Sequence, residues 1–122
     1  MQKHIIYTEK APEPIGPYSQ AVLIKDTLYA SGQIAYEASL SGNLELETEQ
    51  VMKNLEEVLK AAGMTFDNVV KCSIFLKSMD SFSVVNEIYG RYFKENPPAR
   101  ETVEVSKLPK DVNVEISLIA VL

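Results

Sequence analysis

An α+β fold, one sheet with both helices packed on the same face, is what this sequence predicts, and three observations predict it. Two stretches repeat apolar residues at helical spacing. Six shorter stretches carry strand patterning, and their order, an opening run of strands and then helix, strand, helix and strand, fits helices gathered on one side of a sheet. The last stretch has one unbroken apolar face and one mixed face. The chain has 122 residues, 46% of them hydrophobic, without internal repeats, low-complexity tracts or Gly/Ser linkers, so residues 1–122 read as one domain. At that length packing alone can sustain the core, with no disulfide or structural metal.

Taken in order, strands are expected near Lys3–Tyr7, Ala21–Ile24 and Leu28–Ile34. The first helix follows from Val51, Met52, Leu55, Val58, Leu59 and Ala62, with Glu49, Lys53, Glu56, Glu57 and Lys60 mostly on the other side. Thr48 is its expected N-cap, unless the acidic residues before it start the helix earlier, and Gly63 is the left-handed residue that ends it. A strand is expected at Val69–Leu76, where Cys72 shares parity with Val70, Ile74 and Leu76, the pattern of a buried, inert thiol. The second helix runs from an Asp80 cap through Phe82, Val85, Ile88, Tyr89, Tyr92 and Phe93 and stops before Pro97-Pro98; its aromatic stripe is read as packing on the sheet. Strands at Thr102–Val105 and Val112–Val121 complete the set. In the last, the even positions Val112 to Leu122 are all apolar, whereas the odd positions begin with Asn113, Glu115 and Ser117 and end with Ile119 and Val121. A face that turns apolar in this way suits coverage by another subunit, so a homo-oligomer is expected.

Charge and composition exclude several classes of function. Twelve basic against seventeen acidic residues give a net charge of -5, which lacks the basic footprint of a duplex nucleic-acid binder. No stretch approaches the ~20 apolar residues that span a bilayer. The opening MQKHIIYTEK has no apolar signal segment and the single cysteine cannot form an intrachain disulfide, so a soluble, reducing, cytoplasmic setting is expected. One histidine, His4, and one cysteine fall short of a zinc ligand set and make a nucleophilic dyad remote. The five glycines form neither a GxGxxG fingerprint nor a P-loop, so no nucleotide cofactor is implied.

What remains is an opposite-charge pair in the C-terminal third. Pro97-Pro98-Ala99-Arg100 is a stiff approach that delivers an arginine to a strand, and Glu115 is a carboxylate inside a β-patterned segment. If their strands are neighbours the two side chains can line one cleft; a structural salt bridge or two solvated charges is the competing reading. Ile15-Gly16-Pro17-Tyr18-Ser19-Gln20 is a turn followed by polar and aromatic groups, and Gly32 in Ser31-Gly32-Gln33 marks either a plain bulge or a close approach by a ligand.

These segments also carry a family likeness. Gly16-Pro17-Tyr18-Ser19-Gln20-Ala21, Ser31-Gly32-Gln33-Ile34, Asn54-Leu55 with Ala61-Ala62-Gly63, Val85-Asn86, Pro98-Ala99-Arg100, Leu108-Pro109-Lys110 and Val114-Glu115-Ile116, in that order, resemble the RidA (YjgF-like, reactive intermediate deaminase) family over nearly the whole chain. The resemblance implies a chorismate-mutase-like α+β fold, a mixed sheet with two helices on one face, assembled as a barrel-like homotrimer with ligand clefts between subunits. It implies hydrolysis of 2-imino acids or their enamine tautomers, such as 2-iminobutanoate and 2-iminopropanoate, to a 2-keto acid and ammonia, with no cofactor and no metal. By the motifs, Arg100 binds the substrate carboxylate and Glu115 holds the attacking water, while Tyr18, Ser31, Gly32, Asn86 and Thr102 are further substrate-binding positions. Two other outcomes belong to the same resemblance: a non-catalytic protein that binds small 2-keto or imino acids, and an endoribonuclease or translation inhibitor, for which the acidic balance and lone histidine are poorly suited.

The sequence departs from the family beside the arginine, with Glu101 and Thr102 where many members have a small residue and a cysteine, and in Ala35–Ser41, which lacks the usual proline-containing loop. Alternation along a strand is expected to turn Glu101 away from the face that Thr102 occupies.

Overall fold

The computed structural model describes residues 2–122. Nine elements follow in order: β1 (Lys3–Ile6), β2 (Ala21–Ile24), β3 (Thr27–Gln33), α1 (Tyr36–Ser39), α2 (Leu44–Ala61), β4 (Val69–Leu76), α3 (Phe82–Gly90), β5 (Ala99–Glu104) and β6 (Val114–Val121), with 3₁₀ turns at Phe66–Asn68, Met79–Ser81 and Pro109–Asp111. One six-stranded sheet has the order β1-β2-β3-β6-β4-β5. It is mixed, because β4 and β5, joined through α3, pair in parallel while the other neighbours are antiparallel.

The helix-covered face is the core. Leu28 and Ala30 from β3, Ile116, Leu118 and Ala120 from β6 and Cys72, Ile74 and Leu76 from β4 are buried against Val51, Met52, Leu55, Val58 and Leu59 of α2 and Val85 and Tyr89 of α3. Both helices therefore lie on one side, as their apolar stripes predict. Burial pushes the Cys72 thiol above its ordinary pKa, which suits the inert role expected of it.

Several boundaries differ from expectation for local reasons. Helix α2 starts at Leu44 because Asn43 caps it, its side-chain oxygen accepting from Leu46 N–H at 3.1 Å. Thr48 lies inside the helix, buried, and its hydroxyl donates to the Leu44 carbonyl at 2.8 Å. Gly63, at φ +73°, ends α2 in a Schellman motif: Met64 N–H reaches Leu59 O and Gly63 N–H reaches Lys60 O, both at 2.9 Å. Asp80 does not cap α3; it sits in the preceding 3₁₀ turn, and its N–H donates to the Ser78 hydroxyl at 3.1 Å. The helix ends at Gly90, and Tyr92 and Phe93 leave it to cluster with Phe66 at centroid distances of 5.0 and 5.4 Å. The stretch expected to be only a loop holds the single turn α1.

Among the strands, β5 begins at Ala99, directly after the prolines, and β6 begins at Val114. Val112 keeps the parity of the buried face, but Leu122 lies beyond the strand and is exposed. A register shift between Val69 and Lys71 breaks the parity expected for Val70, which is 49% exposed while Cys72 and Ile74 stay buried.

The opposite face of the sheet carries no helix. Cross-strand register aligns Ile5, Val22, Tyr29, Ile119 and Lys71 in one row there, and Ser117, Ser73 and Glu101 in the next. Ile5 and Tyr29 are 56% and 51% exposed, and the odd residues of β6 are half-buried. No helix among the described residues is long and apolar enough to cross a membrane.

Candidate active site

Arg100 and Glu115 do not meet within the chain. Their strands are not neighbours, since β4 lies between β5 and β6. Register also sets them on opposite faces: Arg100 pairs with buried Cys72 on the helix side, whereas Glu115 pairs with Phe75 on the open side. The condition of neighbouring strands is therefore not met, and the two side chains form no salt bridge with each other within the chain. Each charge instead organises its own half-site.

The Glu115 half-site is built around a bulge. The β3–β6 register shifts between Ala30 and Gln33, and Gly32 in that shift receives the Glu115 side chain. A Cβ at Gly32 would stand 2.8 Å from Glu115 Cδ and closer still to Oε2, so the carboxylate occupies the space a side chain would need. The bulge is thus filled by a side chain of the same chain, not by a ligand. Glu115 lines a cleft of about 400 Å³ with Ile15, Tyr18, Ser31, Gly32, Ile34 and Pro109. Desolvation in these surroundings raises the Glu115 pKa above the ordinary carboxylate value.

The GPYSQ turn supplies the other wall. Tyr18 N–H donates to Gly16 O at 2.9 Å, and the half-exposed Tyr18 hydroxyl accepts a weak bond from Ile15 N–H at 3.4 Å. Ser31 is fixed by its hydroxyl donating to Ser19 O at 2.6 Å, which leaves its oxygen lone pairs for an incoming donor. Gln20, 2% exposed, ties the preceding loop down: Nε2 donates to Thr8 O and Pro12 O at 3.1 and 3.0 Å, and Oε1 accepts from Thr8 N–H at 2.7 Å. A buried side-chain amide with this many main-chain partners is a positional anchor.

The Arg100 half-site lies between β5 and α3. Arg100 Nη1 donates to Asn86 Oδ1 at 2.8 Å, and the guanidinium carbon sits 5.0 Å from the Tyr89 ring centroid and 5.8 Å from that of Phe82. Asn86 thus holds the arginine. The aromatic partners were not singled out as site residues in the sequence, although Phe82, Asn86 and Tyr89, at steps of four and three, fall on one helix face. Thr102, which pairs with Ile74, has its hydroxyl buried without a partner, as has Tyr89. Glu101 points to the open face, where it pairs with Lys71 at 2.9 Å and accepts from the Ser73 hydroxyl, as strand alternation predicts. No three His, Cys, Asp or Glu side chains among the described residues come together as metal ligands would.

A family model described as endoribonuclease L-PSP matches residues 8–122. A RutC family protein of Saccharolobus solfataricus is 50% identical, covering 97% of each chain. The human protein named 2-iminobutanoate/2-iminopropanoate deaminase is 48% identical over 98% of this chain and 90% of its own. A crystal structure from Thermotoga maritima, titled a putative endoribonuclease, superposes with a TM-score of 0.92 at 44% identity, covering 100% of this chain and 98% of that one. The order of motifs, the six-stranded sheet and these matches together mean that the chain belongs to the RidA (YjgF-like) family.

Proposed function

We propose that the protein hydrolyses 2-imino acids, or their enamine tautomers, to 2-keto acids and ammonia, in clefts where the Arg100 half-site of one subunit meets the Glu115 half-site of the next in a homotrimer. The observation that carries this reading is the pair of prepared but separated groups: a guanidinium already oriented by Asn86 and two rings, and a half-buried carboxylate seated in a mostly apolar cleft. The name of the human relative supports it.

The chemistry needs little more. Arg100 would grip the substrate carboxylate through two parallel charge-assisted bonds, fixing the C=N carbon in place. Glu115 would take a proton from water as the oxygen adds to that carbon, then return it to nitrogen. Glu115 would then take the remaining hydroxyl proton as the C–N bond breaks, so that the carbonyl forms and the nitrogen of the protonated imine leaves as ammonia. General-base assistance of this kind is worth ~10²- to 10⁴-fold. Tyr18 and Ser31 would orient the substrate across the cleft, and Gly32 would keep Glu115 close to it. Thr102, beside Arg100, would offer its unpartnered hydroxyl to the bound acid. RNA cleavage, which the family model's description mentions, is poorly served: His4, the only histidine, is exposed on β1 at a sheet edge and lines neither half-site.

The test couples a threonine dehydratase to the purified protein and follows loss of the enamine. Acceleration is expected, with kcat/KM falling about 10- to 150-fold in Arg100→Ala, as befits loss of hydrogen bonds to a charged group. No acceleration, or an unchanged rate in that variant, overturns the reading.

A further inference from the structure

Beside the Glu115 cleft lies a second, smaller cavity of about 90 Å³ that shares Ile15, Tyr18, Gly32 and Ile34 with it. Its lining includes Tyr36 and Lys110. The Lys110 ammonium stands 4.7 Å from the Tyr36 ring centroid, held by the ring's quadrupole and not by a counter-ion.

The carboxylates that could neutralise it are engaged elsewhere. Asp111, the next residue, pairs with Lys77 at 3.2 Å. Glu13, which lines the same cavity, accepts from the Tyr7 hydroxyl. Among the described residues, no carboxylate is within salt-bridge distance of Lys110.

The backbone enforces this arrangement. Lys110 and Asp111 have φ of 54° and 58°, two successive side-chain-bearing residues in the left-handed region, a conformation that persists only where its surroundings hold it. Buried Leu108 and Val112 anchor the turn on either side. Its effect is to send two adjacent, opposite charges apart, one to Lys77 and the other to the ring of Tyr36. An anion reaching Lys110 would therefore find a cation without having to displace an ion pair.

We propose that the Tyr36–Lys110 cavity is a subsite for a second carboxylate, which extends the substrate class to imino and keto acids of dicarboxylic type. Their methylene stem would lie against Ile15, Tyr18 and Ile34, and their distal carboxylate on Lys110. This inference rests on the keto- and imino-acid reading of the Glu115 cleft.

Calorimetry on the assembled protein tests it, with 2-oxobutanoate and 2-oxoglutarate as probes at low salt. The wild type is expected to bind 2-oxoglutarate about fivefold more tightly, the scale of one well-placed ion pair at a partly exposed site. Lys110→Met should bring the ratio of the two affinities to about one, and Lys110→Arg should preserve it. No preference in the wild type, or the same ratio in Lys110→Met, overturns the subsite. Binding of 2-oxobutanoate without discrimination overturns the subsite alone. Absence of binding by either acid, together with absence of imine hydrolysis, overturns the underlying reading and the subsite with it.

Discussion

The two faces of the sheet are made by the same strands and serve opposite ends. On the helix side, Ile116, Leu118 and Ala120 are sealed under α2 and α3, and Arg100 lies at the margin of β5, the edge strand, bonded to Asn86. On the open side, Tyr29, Ile119 and Phe75 alternate with Lys71, Ser73 and Glu115, and among the described residues no helix covers them. One face is complete within a single chain. The other leaves half-buried and exposed apolar groups open to solvent, and Glu115 belongs to that side. Stability is concentrated on the first face, and the two candidate site charges are divided between the two.

The sharpest way to break the contrast is to excavate the sealed face. Leu59→Ala, at a position with no exposure, should cost about 2–5 kcal/mol in urea denaturation, because the lost transfer energy is compounded by a cavity that α2 cannot close. A cost below 1 kcal/mol would mean that the covered face does not dominate stability.

A second, smaller effect separates the faces by pH. Burial holds the Glu115 pKa above its unfolded value, so its contribution to stability is complete below the ordinary carboxylate range and is lost as pH rises through the raised value. Glu115→Gln should therefore match the wild type in acid and become the more thermostable protein as pH climbs through that range. Under the proposed hydrolysis activity should move the other way, since a general base works only when ionised: wild-type turnover rises over the same interval, and the variant loses ~10²- to 10⁴-fold. A Tm difference independent of pH would remove Glu115 from its desolvated cleft.

The smallest effect tests the bulge. Val70 shares the sequence parity of the buried strand residues yet is exposed, so Val70→Thr should change stability by no more than about 0.5 kcal/mol in the same denaturation assay. A core-sized loss would return it to the interior.

How far the sequence foretold this division depends on the range of the interactions involved. The bounds of β2 and β4, the Gly63 stop and the buried face of β6 were legible because period and local conformation determine them. The start of α2 was less so, since Leu44–Gln50 is mostly polar and its Asn43 cap lies eight residues before the apolar repeat begins at Val51. Val70 was misread because one inserted residue inverts parity without any mark in composition. Motifs single out the candidate site residues one by one, but not their division between the two faces, because the insertion of β6 between β3 and β4 depends on pairings far apart in sequence. The hold of Asn86, Tyr89 and Phe82 on Arg100 was hidden for the same reason: helix and strand meet only through the parallel β4–β5 crossover.

That crossover leaves the outer flank of β5 without a ladder partner in its own chain. An unpaired flank invites indiscriminate zippering with other polypeptides, and charge is the usual deterrent. Of its six residues, Arg100, Glu101 and Glu104 are ionic, so the strand that carries Arg100 also guards the chain against clumping along that flank.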